Sequence, residues 1–442
     1  ASPLMAATFA VDSTTDAVDA APGDGACADS GGDCTLRAAI MEANALGGAD
    51  TIMLSADTYT LSLTGTDEDA AGTGDLDIFS DVTIVGMGAD ETIIDGGGID
   101  RVFDIAFGGD ATVSDLTIQN GGNVTQGGGL RVTGGGSGGQ LDLDNAKVEN
   151  NSATIDGAGI FSDGDISLTD VEMSGNTNSA RGGGLFNDQD ATLTRVSISG
   201  NSADEGGGIY NSNQGVSLFL TNVTISGNTA TLNGGGVYSA EMVNMTNVTL
   251  AFNLGGGGVY VTGGRGDVDL QNSILANNTG GNSNLALTSL GYNIEDGNTA
   301  FSPIAGDQQL TDPQLGSLGN NGGATQTHAL LAGSPAIDPI GLSGAPLTDQ
   351  RGFLRDDGSP DIGAYEAGAS VRPVFADLWL STEDVVASGG QPGTDNWNPS
   401  DLVGIGDPNL NLGPGTTSGT FSTVFDADGF SVGWDMNAAH YV

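Results

Sequence analysis

The chain has 442 residues, with 56 acids against ten bases, a net charge of −46 and Lys147 as its single lysine. That balance argues against nucleic acid and anionic membranes as partners, because each needs a basic patch. Glycine supplies 75 residues, yet no collagen triplet occurs and apolar residues are dense enough to fill a core.

Residues 1–49 read as a strand, a disulfide loop and a capping helix. The opening ASPLMAATF lacks the basic and apolar regions of a signal peptide, which suits a mature, secreted form. Cys27 and Cys34 bracket a Gly-Gly turn, and such a spacing suits a small disulfide formed outside the cytoplasm. In CTLRAAIMEANALGG, Thr35 is the expected N-cap, and Leu36, Ala39, Ile40 and Ala43 share one face. A helix here would cover the open end of a solenoid. No run is long and apolar enough to span a membrane.

From residue 50 the apolar period becomes two. Asn151, Asn176, Asn201, Asn228, Asn253 and Asn278 then recur at intervals of 25, 25, 27, 25 and 25 residues, most of them closing a phrase such as VSISGN. A fixed period of this size is the mark of stacked coils. With short alternating strands in each coil, it predicts an all-β fold, a right-handed parallel β-helix over residues 50–366. Stacked strands advance about 4.8 Å per coil. The asparagines suit turns in which each amide bonds a neighbouring coil.

Each coil also carries a glycine run followed by an aliphatic residue and usually an aromatic, as in GAGIF (157–161) and GGGVY (234–238). This aligns Phe161, Phe186, Tyr210, Tyr238 and Tyr260 in one column. Burial as a core stack is the expectation. Outward exposure would instead make a stripe for sugar rings or another subunit.

The same period stacks Asp163 on Asp188 and Asp165 on Asp190. Four such carboxylates would suit a hard cation with oxygen ligands, so they form a candidate Ca2+ site. Arg181 and Glu205, offset by one coil, are expected to pair at the surface. Arg195 falls at an outward corner, and His328 reads as a packed histidine. Arg265-Gly266-Asp267 spells an adhesion tripeptide without further support, and no nucleophile elbow, P-loop or zinc motif occurs.

GDGACADSGGDCTLRAAIMEANALGGADTI resembles the N-terminal segment of bacterial CSLREA-type proteins, with CTLRA in place of the name motif. TDPQLGSLGNNGGATQTHALLAGSPAIDP and TDQRGFLRDDGSPDIGAYE resemble the closing coils of choice-of-anchor-type β-helix proteins. Together these cover residues 7–366 and imply a secreted or surface-displayed β-helix, with no catalytic residues to carry over. Residues 367–442 differ, alternating like antiparallel strands around a Gly/Pro/Asn-rich stretch, and read as a small C-terminal β module for anchoring or assembly.

The function expected on these grounds is a non-catalytic structural protein of the cell surface, self-associating head to tail or contacting surface components. A polysaccharide lyase or hydrolase and a glycan-binding adhesin are the rival readings.

Overall fold

A computed structural model describes residues 6–369 of the chain, apart from residues 66–67, 69, 107, 135–138, 213–214, 264–266 and 357. Residues 370–442 of the proposed C-terminal module (367–442), and Arg265-Gly266, therefore lie outside the described residues.

The N-terminal strand, Thr8–Ala10, runs parallel to Asp50–Met53 and starts the first coil. Cys27 and Cys34 are joined in a disulfide. The helix spans Leu36–Ala45, and the Thr35 side chain accepts from the Ala38 amide. Leu36, Ala39, Ile40 and Ala43 enter the hydrophobic core. Arg37 on the same helix is also buried. It pairs with Asp16 at 2.6 Å and donates to the carbonyls of Ala71, Gly74 and Asp75.

Beyond the helix the chain is a right-handed parallel β-solenoid. Two strands of each coil belong to a nineteen-stranded array, while the other faces are a five-stranded and an eight-stranded sheet. In the coils at Ser217–Ser226 and Met242–Ala251 the first two strands merge into single ten-residue strands. Asn222 and Asn247 bend them with φ of 54° and 53°.

The asparagine column runs up the interior. Asn176 Nδ2 donates to Asn201 Oδ1 at 3.0 Å and to the Val148 carbonyl at 2.9 Å, while its backbone amide also reaches Asn201 Oδ1. The same three bonds recur at Asn151, Asn201, Asn228 and Asn253, the last ending on Asn278. A buried amide stays cheap only when every donor and acceptor is matched, and this chain of bonds matches them. Beside it Gly183 has no room for a side chain, since a Cβ there would meet the Gly207 carbonyl oxygen at 2.3 Å.

One expectation is corrected at the C-terminal side. Residues 311–366 do not continue the coils, because among the described residues parallel pairing ends with Ile294 against Gln308. They include an antiparallel pair, Leu315–Gly319 with Thr327–Leu330. The segment lies along the outside of earlier coils: Arg355 Nη2 reaches Asn222 Oδ1, and Asn247 Nδ2 donates to the carbonyls of Asp361 and Gly363. His328 is packed in this seam, 2.8 Å from Ser226 Oγ and 2.7 Å from the Gly316 carbonyl. Burial pushes its pKa down.

Candidate functional site

The eight-stranded sheet holds the most distinctive surface. Its strands, from Leu76–Ile78 to Val259–Val261, follow one per coil. Leu130, Ile160, Leu185, Ile209, Val237 and Val259 in these strands are fully buried. Neighbouring residues in a strand face opposite ways, so the next residue in each points out of the solenoid. Register places those residues in a single file: Asp77, Asp104, Arg131, Phe161, Phe186, Tyr210, Tyr238 and Tyr260.

The aromatic column is therefore external, and the expectation of a core stack is corrected. Phe161 and Phe186 are only 7% and 4% exposed, yet neither belongs to the hydrophobic core. Their concealment comes from stacking and from the walls of a cleft. Successive ring centroids are separated by 5.2, 5.2, 4.5 and 5.2 Å, with interplanar angles between 4° and 23°.

Phe161, Phe186, Tyr210 and Tyr238 floor a cleft of about 530 Å³. Gln126, Asp156 and Arg181 line one side, and Asp188, Ser212 and Thr262 also line it. Arg181 Nε lies 2.8 Å from Asp156 Oδ1, and its Nη2 donates to Asp156 Oδ2 at 3.0 Å. The guanidinium carbon sits 5.0 Å from the centre of Phe186 and 5.3 Å from that of Tyr210. Burial works against the Arg181 charge, but Asp156 and the Tyr210 hydroxyl outweigh it and raise the pKa.

Arg181 thus pairs with the coil before it, where Glu205 was expected in the coil after. The backbone of Arg181 does stand beside both Asp156 and Glu205. Glu205 instead accepts from Asn233 Nδ2 at 3.3 Å. Arg195 is held at its corner by both oxygens of Asp170, at 2.8 and 2.6 Å.

The proposed calcium quartet is also corrected. Among the described residues, Asp163, Asp165, Asp188 and Asp190 do not form a group close enough to share an ion. The chain turns at Gly164 and passes into another sheet, so Asp165 leads a different strand from the one that ends at Asp163. Groups of the next coil already engage two of these acids: Ser212 Oγ bonds Asp188, and the Ser217 amide donates to Asp190 at 2.8 Å. Burial raises the Asp188 pKa, Ser212 opposes this, and Asp163 adds to it.

The group that does converge was missed. Asp75, Asp77 and Asp104 are all buried, with one carboxylate oxygen from each lying within 4.8 Å of the others. An oxygen-only set of this kind is what a hard cation takes. Arg101 Nε lies 2.5 Å from Asp75 Oδ2, Arg131 holds Asp104, and the Ala71 amide donates to Asp77 at 2.7 Å. Burial, reinforced by the charge of Asp75, pushes the Asp77 pKa up to about 8. Burial pushes Asp75 to about 7 against the pull of Arg101. The sequence does carry the signal. GGGLR puts Arg131 where later coils put an aromatic, and FDI and LDI upstream put an acid there.

No family model matches the chain, and no curated protein matches it. Among solved structures it is similar to the crystal structure of pectate lyase Pel9A, at 13% identity and a TM-score of 0.47, over 82% of this chain and 97% of that one.

Proposed function

We propose that this protein is a secreted or surface-displayed β-helix that binds a polysaccharide along the cleft of its eight-stranded sheet. The observation that carries this reading is the external column of stacked rings flooring a cleft lined by Gln126, Asp156, Arg181, Asp188, Ser212 and Thr262. Such a lining offers many donors and acceptors over an apolar base, and a polyhydroxylated ligand satisfies both. The Cys27–Cys34 disulfide supports an oxidising, extracellular setting. No described helix is long and apolar enough to cross a membrane.

Asp156 and Asp188 line the same cleft, and a hydrolase would need two such carboxylates. Here Asp156 is held by Arg181 and Gln126, and Asp188 by Ser212, so both are engaged in fixing the walls. Binding without turnover is the reading that fits. Electrophoresis of the full chain through gels containing soluble glucan, mannan or xylan tests it. At least one polymer should retard the protein, and Arg181→Gln with Tyr210→Ala should abolish the retardation. Equal mobility in every gel, or release of reducing ends from a retarding polymer, would contradict it.

Head-to-tail self-association is a second reading, favoured by Leu285, Leu290, Ile304 and Leu310, which are 45–73% exposed around the last two coils. Sedimentation of the full chain should then show concentration-dependent oligomers that Leu310→Glu weakens. A single monomeric species at every concentration would remove this reading.

A further inference from the structure

We infer that the ligand of this cleft is an extended, uncharged chain of equatorially 1,4-linked pyranoses, lying parallel to the solenoid axis with about one sugar per coil. This rests on the polysaccharide reading and narrows it by two independent observations, one of spacing and one of charge.

The floor repeats with the coils. Its rings stand 4.5–5.2 Å apart, and the partly exposed Tyr210, Tyr238 and Tyr260 put a hydroxyl on each of three consecutive coils. Their stacked faces cover one another, so a ligand meets ring edges and hydroxyls. A ring edge carries the positive part of the aromatic quadrupole and suits an approaching oxygen. A pyranose joined through equatorial oxygens at positions 1 and 4 advances by nearly the step of one coil. Successive sugars of such a chain are turned over relative to one another, so alternate edges of the ribbon face the column and each sugar still offers a hydroxyl to one coil.

The charge around the cleft selects against acids. Among the described residues, Arg181 is the one base in the lining, and Asp156 matches it through both oxygens. Asp188 remains, with Asp163 acting on it, and Glu205 acts on Tyr238. The chain as a whole carries −46. A uronate polymer would meet a negative cleft on a negative molecule, and repulsion of this kind is strongest at low salt.

The test titrates the full chain with β-1,4-linked manno-oligosaccharides of rising length, and with β-1,4-linked mannuronate oligomers that differ in the C6 carboxylate. Affinity for the neutral series should rise about three- to tenfold with each added sugar, as expected for one net hydrogen bond per rung, until the floor is spanned. Tyr238→Phe, which keeps the ring and removes the hydroxyl, should weaken the longer neutral oligomers by about the same factor. The mannuronates should not bind at low or moderate salt. Neutral binding that does not grow with length, or mannuronate binding as tight as manno-oligosaccharide binding, would overturn the inference. If another glycan binds with Arg181→Gln sensitivity but without length dependence, this narrowing fails and the cleft reading stands. If no saccharide binds, both fail.

Discussion

The outward file of the eight-stranded sheet begins as Asp77, Asp104 and Arg131 and continues as five aromatic rings. Backbone and spacing are the same along it, but the two ends are finished differently. At the acidic end Arg37 of the capping helix gathers the carbonyls of residues 71, 74 and 75, and the Ala71 amide closes on Asp77. At the aromatic end the walls stand apart and leave a cleft. A uniform scaffold can thus carry a sealed ionic cluster and an open polar groove in one file, depending only on what crosses over each.

The sealed end should be the more fragile under mutation. Arg37→Met removes a buried charge that Asp16 and three carbonyls depend on, and is expected to cost about 3–5 kcal/mol in urea unfolding. A loss below 1 kcal/mol would mean that Arg37 does not hold the seal.

The sealed end should also respond to pH, with a definite sign. Asp77 has a folded pKa of about 8, above its unfolded value, so the folded state binds the extra proton. Its contribution is whole below the unfolded value of 3.8 and is lost progressively as pH rises through about 8, by at most about 1.4 kcal/mol per pH unit for this group. Asp77→Asn, which holds the amide without the charge, should flatten the fall in melting temperature between pH 5 and 9. An unchanged slope would place the titration elsewhere.

Effects at the open end should be smaller and separable. Tyr210→Ala breaks the stack in its middle and should cost about 1–3 kcal/mol, whereas Tyr210→Phe should cost less than about 1 kcal/mol. Equal losses would mean that the hydroxyl, not the stack, supports that coil. Arg181→Gln leaves the buried Asp156 carboxylate without its cation and should cost about 1–3 kcal/mol while abolishing polysaccharide retention.

Much of the scaffold is legible in the residues. The asparagine interval sets the coil length, and the amphipathic face from Leu36 to Ala43 marks the cap. The site is legible only in part. Periodicity aligns Phe161 with Phe186 and Tyr210, but it cannot say which of two adjacent columns turns inward when both are apolar. The aliphatic column took the interior, and the rings found cover from Arg181 and one another. Asp156 was missed although it stands beside Arg181 one coil back, as Glu205 does one coil on, because register alone cannot say to which of the two neighbours the guanidinium turns. Residues 311–366 misled for a related reason. Their apolar residues pack against the outside of finished coils, which leaves the same pattern as packing inside one.

The central claim is that the outward aromatic file is a polysaccharide site. Hydrogen–deuterium exchange of the full chain, with and without a retarding neutral polysaccharide, tests it most directly. Protection should concentrate at residues 181–188, 209–212 and 237–240, and Arg181→Gln should erase it. Protection confined to other faces of the solenoid, with these segments unchanged, would contradict the account.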